Sequence, residues 1–109
     1  MIFIAVKFSL RPDVADQWLA RVAPCTAATR AEPGNLFFAW SRSVASPHQF
    51  VLLEAFRDRA AGEAHVHSAH FQAAMAWMPD AGLALNWAHL HPDRGDVAQF
   101  SRRKSPIEG

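Results

Sequence analysis

Along residues 2–10, Ile2, Ile4, Val6, Phe8 and Leu10 fall on alternate positions. This period of two predicts a β-strand with one apolar face. A helix is expected to start at "RPD", with Pro12 in its first turn where a missing N–H costs little. Its buried stripe is Val14, Trp18, Val22, Cys25 and Thr29, at steps of three and four. Pro24 lies inside that stripe and predicts a kink or split near residues 20–24, because it removes a hydrogen bond and crowds the preceding turn. "EPGN" (32–35) ends the helix and turns the chain. "LFFAWSRS" reads as a strand, "ASPHQ" as a turn and "FVLLEAF" (50–56) as a second strand, an antiparallel hairpin over 35–57.

Residues 57–78 read as one broken helix or two short ones, with Ser68 capping a second segment from about residue 69. Phe71, Met75 and Met78 give that segment an apolar side, and Pro79 is expected to stop it. "LALNWAHLH" (83–91) is the last strand expected, with Trp87, His89 and His91 on one face. The order strand, helix, strand, strand, helix, strand is the split pattern of a ferredoxin-like α+β fold with an antiparallel sheet. It spans residues 1–92, and 93–109 read as a polar tail that is loose or wraps a partner.

Both alternating sets of "FVLLEAF" are largely apolar: Phe50, Leu52 and Phe56 on one side, Val51, Leu53 and Ala55 on the other. A strand apolar on both faces has both faces covered. The helices can cover one, so the other predicts a homodimer. Composition agrees, with 50% hydrophobic and 19% charged residues in a chain of 109. The net charge of +1 gives no footprint for nucleic acid. No apolar run approaches the roughly 18 residues of a membrane span. The apolar start is too short for a signal peptide, so a cytoplasmic location is expected. The single Cys25 excludes an internal disulfide and reads as a small core residue. No glycine-rich phosphate loop occurs, so no cofactor is expected.

"AHVHSAHF" (64–71) concentrates three histidines in six positions. A metal site needs about three convergent ligands. On a continuous helix His65 points roughly 200° away from His67, and no Asp or Glu stands at a matching step. No metal is therefore expected. His67 reads as exposed, and His70 as a capping or packing residue.

Three segments, "ATRAEPGNL", "PHQFVLLEAFRD" and "AAGEAHVHSAHF", resemble the antibiotic biosynthesis monooxygenase superfamily. That family carries an E-P-G turn, an apolar strand ending in a glutamate (here Glu54) and an A-H-x-x-S-x-H-F segment (here Ala64, His65, Ser68, His70 and Phe71). The resemblance implies a dimeric α+β barrel with a pocket between sheet and helices. It also implies oxidation of a quinol or polycyclic phenol by O₂ without metal or flavin. The haem-degrading branch is disfavoured, because Met75 stands near its iron-ligating histidine and its first-strand asparagine is absent. There is no tyrosine, so any scheme using one cannot operate.

His65 matches the family's histidine, and a neutral imidazole can accept a phenolic proton; the alternative is that it ties helix to sheet through Glu54. Glu54 lies on the side of Phe50, Leu52 and Phe56, where a carboxylate is costly unless paired. Asn35 can hydrogen-bond a substrate oxygen or the turn. Trp40 can stack on an aromatic substrate or pack in the core, and Arg42, on the same strand face, can hold a phenolate. Phe38, Phe56 and Phe71 complete an apolar lining. A dimeric binding protein for a small aromatic ligand, or an isomerase of the same fold, would use the same cavity.

Overall fold

The alternating apolar positions of residues 2–10 form β1 (Ile2–Leu10), the centre of an antiparallel sheet. In this computed structural model, which describes residues 1–90 and 99–103, β1 is followed by α1 (Pro12–Ala15) and α2 (Trp18–Arg30). The hairpin β2 (Asn35–Arg42) and β3 (Gln49–Phe56) comes next, then α3 (Arg59–Val66), α4 (Ala69–Ala81), β4 (Gly82–Leu90) and β5 (Gln99–Arg103). The sheet order is β2-β3-β1-β4-β5. Its first four strands give the ferredoxin-like arrangement expected from the sequence.

Register sets which side chains share a row. Ile4 and Phe38 both lie opposite Glu54, and Val6 and Trp40 both lie opposite Leu52. These even positions form the inner face, on which Val14, Trp18, Val22, Ala74 and Met78 pack. Trp18 is fully buried, its ring 5.5 Å from Phe8, 5.8 Å from Trp40 and 5.6 Å from Trp77. Among the described residues its indole N–H has no hydrogen-bond partner. Trp40 Nε1 donates to Thr26 Oγ1 at 3.0 Å, and Thr26 in turn donates to the Val22 carbonyl at 2.8 Å. Arg30 Nε donates to the Phe38 carbonyl at 2.9 Å. These bonds hold α2 to β2.

Three expectations are corrected. The first helix breaks at residues 16–17, not at 20–24, and Pro24 lies inside α2. The carbonyl that loses its intrahelical donor belongs to Ala20, which is exposed like Pro24, so water can take the donor's place. Pro79 does not stop α4, which runs on to Ala81. Only two helical residues follow it, so little of the ladder is at stake. Part of the segment read as a polar tail pairs with β4 as a fifth strand, from Leu85 opposite Arg103 to His89 opposite Gln99. His91, read as a partner of His89, lies outside the described residues.

On the outer face, Ala55 is fully buried between its register partners Phe3 and Phe37, whose rings meet edge-on at 5.7 Å. Leu53 and Phe37 remain 37% and 39% exposed.

The E-P-G turn makes a close approach to α3. A Cβ placed on Gly34 would overlap the Cβ of Ala61 and stand 3.4 Å from its Cα. Both are rigid parts of the fold, since Arg57 N–H also donates to the Gly34 carbonyl at 2.8 Å. Gly34→Ala is expected to cost about 1–3 kcal/mol in denaturant unfolding, the usual penalty of overpacking. Adding Ala61→Gly should recover much of it, although that change alone costs roughly 1 kcal/mol of helix propensity. Additive losses in the double variant would refute the contact.

Candidate active site

Two glutamates and two histidines meet from four parts of the chain: Glu32 from the α2–β2 turn, Glu54 from β3, His65 from α3 and His70 from α4. Local chemistry fixes each approach. Glu32 N–H donates to Thr29 at 3.0 Å, and the Glu32 carbonyl accepts from Asn35 at 3.1 Å. Asp58 caps α3, its Oδ1 accepting from Ala61 N–H at 2.8 Å. At the α3–α4 corner the Ser68 hydroxyl donates to the His65 carbonyl at 2.6 Å and accepts from Phe71 N–H at 3.2 Å. That corner turns His65 and His70 toward each other, with ring centroids 5.9 Å apart.

Glu32 Oε2 accepts from both rings: from His65 Nδ1 at 2.8 Å and from His70 Nε2 in a still closer contact. A carboxylate oxygen can only accept, so His65 carries a proton on Nδ1 and, when neutral, has its lone pair on Nε2. That nitrogen stands 3.8 Å from Glu54 Oε1, too far for a direct hydrogen bond. The imidazole is held among aromatic rings, with Phe56 at 4.9 Å, Phe71 at 5.1 Å and Phe38 at 6.1 Å.

His65 and Glu54 line a cavity of about 210 Å³ between sheet and helices, together with Phe38, Trp40, Phe56 and Phe71. Six of the eight site residues read from the sequence are thus brought together. The other two lie elsewhere. The Asn35 side-chain amide donates to the Phe37 carbonyl at 3.0 Å and the Ala55 carbonyl at 3.2 Å, at the irregularity where β2 shifts register against β3. Arg42 donates to the Pro47 carbonyl at 2.7 Å and to Asp16 at 2.8 Å, at the far end of the hairpin. His67 is exposed as expected, its Nδ1 on the Glu63 carbonyl at 2.8 Å.

Glu54 is the buried acid of the site. Desolvation, and secondarily the negative charge of Glu32, push its carboxyl up from an ordinary 4.5 to about 8. Near pH 7 it is mostly a neutral hydrogen-bond donor. Among the described residues it makes no hydrogen bond. Cys25 also reaches the cavity, and burial raises its thiol pKa, which keeps it protonated and poorly nucleophilic.

Sequence reasoning missed Glu32 as a site residue and the pairing of His70 with it. Glu32 stood in a quoted motif, but as the start of a turn, and 33 residues separate it from His65. The ligating atoms of Glu32, His65 and His70 lie within 4.8 Å of one another, so this set can hold a metal ion.

A ferredoxin-like sheet under helices, with an apolar cavity between them lined by one imidazole and one buried carboxyl, has the form of a small-molecule pocket. The sequence profile of the antibiotic biosynthesis monooxygenase family matches residues 1–77, and the chain belongs to that family. It is 30% identical over 76 residues to the Bacillus subtilis protein YcnE, which bears a provisional monooxygenase name; the match covers 70% of this chain and 80% of YcnE. The fold is similar to that of protein PA3566 from Pseudomonas aeruginosa, with a TM-score of 0.76 at 22% identity over 83% of this chain and 91% of that one. It is also similar to protein SO0527 from Shewanella oneidensis, with a TM-score of 0.76 at 20% identity over 91% and 90% of the two chains. Among the described residues no helix is long and apolar enough to cross a membrane.

The raised Glu54 pKa has a measurable sign. Below pH 4.5 folded and unfolded chains both keep this proton; between 4.5 and about 8 only the folded chain keeps it, so Glu54 makes stability fall as pH rises. The full loss, reached above pH 8, is on the order of 5 kcal/mol as an upper bound. Chemical denaturation of Glu54→Gln is expected to show a shallower decline across that window and higher stability than the parent at its alkaline end. Parallel profiles would contradict the buried neutral acid.

Proposed function

We propose that the protein is a cofactor-independent monooxygenase that uses O₂ to oxidise a quinol or a phenol of one or two rings, acting as a homodimer. The observation that carries the reading is His65, held at Nδ1 by Glu32, with Nε2 turned toward the neutral Glu54 on the cavity wall. The 3.8 Å between them exceeds a hydrogen bond and suits a substrate hydroxyl or carbonyl oxygen that meets both. The cavity of about 210 Å³ favours the small end of the substrate range, since a cavity of roughly 150 Å³ already takes benzene.

His65 Nε2 removes the phenolic proton, and Glu32 stabilises the imidazolium that forms. Glu54 donates a hydrogen bond to the same substrate oxygen as it becomes a phenolate and negative charge spreads over the ring. The phenolate passes one electron to O₂. The aryloxyl radical and superoxide then combine at a ring C–H carbon to give a peroxide anion, which His65 protonates. Loss of that carbon's proton with cleavage of the O–O bond leaves a carbonyl and releases water. One oxygen atom enters the product and the other leaves as water. Phe38, Trp40, Phe56 and Phe71 keep bulk water from the radical pair.

The dimer reading rests on the outer sheet face, where Leu53 and Phe37 stay exposed beside Phe3. A second copy is the simplest cover. Light scattering at micromolar concentration is expected to give twice the chain mass, and Leu53→Glu is expected to shift it toward the monomer. A monomeric parent would end this part of the proposal.

Oxygen uptake with a panel of hydroquinones and naphthols tests the chemistry. His65→Ala should lower turnover by about 10²–10⁴, the usual worth of a positioned base, and His67→Ala should leave it unchanged. Ligand binding without oxygen uptake across the panel would instead favour a binding protein.

A further inference from the structure

On one continuous helix His65 and His67 would point about 200° apart, and no acidic residue stands at a matching step in the cluster. The residues that converge are different: His65 and His70, which flank the helix corner, and Glu32, which comes from another part of the chain. We propose that Glu32 Oε2, His65 Nδ1 and His70 Nε2 form a binding site for one divalent transition-metal ion of the zinc type, completed by water.

Two imidazoles and a carboxylate are a common catalytic zinc set, with bonds of about 2.0–2.2 Å and an open fourth position. Tetrahedral ligands at that distance stand about 3.4 Å apart. The His65–Glu32 pair, now at 2.8 Å, therefore has to open by only about half an ångström. The three ligating atoms already fall within 4.8 Å of one another. Each sits on a separate, locally braced element, so the site is largely organised before an ion arrives.

Exposure supplies a route. The side chains of His70 and Glu32 are 24% and 17% exposed, against 5% for His65. An ion can reach the pair from solvent and keep water on that side. Behind His65 stands Glu54, with Oε1 at 3.8 Å from Nε2. A metal-bound histidine usually donates its other ring N–H to a carboxyl or carbonyl oxygen, and closing this gap by under about 1 Å would give His65 that partner. His67 is excluded, because it is exposed and bonded to the Glu63 carbonyl.

Binding has a defined proton consequence. The ion takes the lone pair of His65 Nδ1, so the ring proton moves to Nε2. His70 moves its proton from Nε2 to Nδ1 in the same way. If the reading of His65 as base holds, on which this clause alone rests, the metal-loaded protein has no free lone pair facing the cavity. Loading and base catalysis then exclude each other.

The test uses chelator-stripped full chain and Zn²⁺ by titration calorimetry near neutral pH, with Co²⁺ as an optical probe. One ion per chain is expected, with the visible absorption of four-coordinate cobalt. Glu32→Gln and His70→Gln should each weaken binding by roughly a hundredfold or more, and His67→Gln should bind like the parent. Ring nitrogen NMR on the parent needs no variant to fold: zinc is expected to move the His65 proton from Nδ1 to Nε2. No binding below millimolar zinc, equal binding by His70→Gln, loss of binding in His67→Gln, or unchanged ring nitrogens at saturating zinc would each overturn the proposal. None of these measurements involves substrate or turnover, so failure of the oxygenase reading leaves them standing, and their failure leaves that reading intact.

Discussion

A carboxylate placed largely out of water must be surrounded by donors, and Glu32 meets that demand with two imidazole N–H groups carried 33 and 38 residues further along the chain. Much of the site follows from this arrangement. The turn that holds Glu32 must press against α3, which explains why Gly34 faces Ala61 with no room for a side chain. The helix must break between His65 and His70, or the two rings could not reach the same oxygen, and Ser68 makes that break with one hydroxyl that both donates and accepts. Taking away one member of such a buried set leaves the others short of partners, which usually costs more than the set contributes when intact.

The same charge shapes its neighbour. Glu32 and Glu54 are both directed at His65, one on each ring nitrogen, yet they stand in opposite states. Glu32 is partly exposed and doubly bonded. Glu54 is buried near the C-terminal end of β3, opposite Ile4 and Phe38, and is kept neutral first by desolvation and then by Glu32. One carboxyl therefore accepts from the imidazole while the other can donate a hydrogen bond beside it. An imidazole between them has one side that fixes its proton and one side free to act.

Features with a short period were legible in the sequence. The alternation in "IFIAVKFSL" and "FVLLEAF" placed β1 and β3 to within a residue, and the inner row Phe50, Leu52, Glu54 and Phe56 followed from it. Ser68 was recognisable as a cap because capping depends on residues two or three apart. Glu32 was not recognisable as a ligand of two histidines, because no local spacing encodes a contact between a turn and a helix corner. Asn35 and Arg42 went astray for a simpler reason. A strand of eight residues runs about 26 Å at roughly 3.3 Å per residue, longer than a cavity for one small ligand, so residues on the same face need not share a site. Phe38 and Trp40 occupy its middle, whereas Asn35 and Arg42 sit at its ends and stitch those ends shut. β5 escaped notice because "QFSRR" carries no strand pattern of its own and gains its hydrogen bonds from the edge of β4.

The two faces of β3 solve different burial problems with one register. Even positions line a cavity that the helices leave unfilled, because α4 presents small and flexible side chains there, Ala74, Met75 and Met78. Odd positions carry Val51, Leu53 and Ala55, and only Ala55 is fully covered within the chain, by the flanking Phe3 and Phe37. Since adjacent residues of a strand point to opposite faces, a shift of one residue in pairing would put Glu54 on the outer face and Leu53 in the cavity. In the proposed dimer that slip would bring an acid into the subunit contact and remove it from His65. The requirement to bury Leu53 against a partner and the requirement to keep Glu54 beside His65 therefore reinforce a single register, so assembly would help hold the site in place.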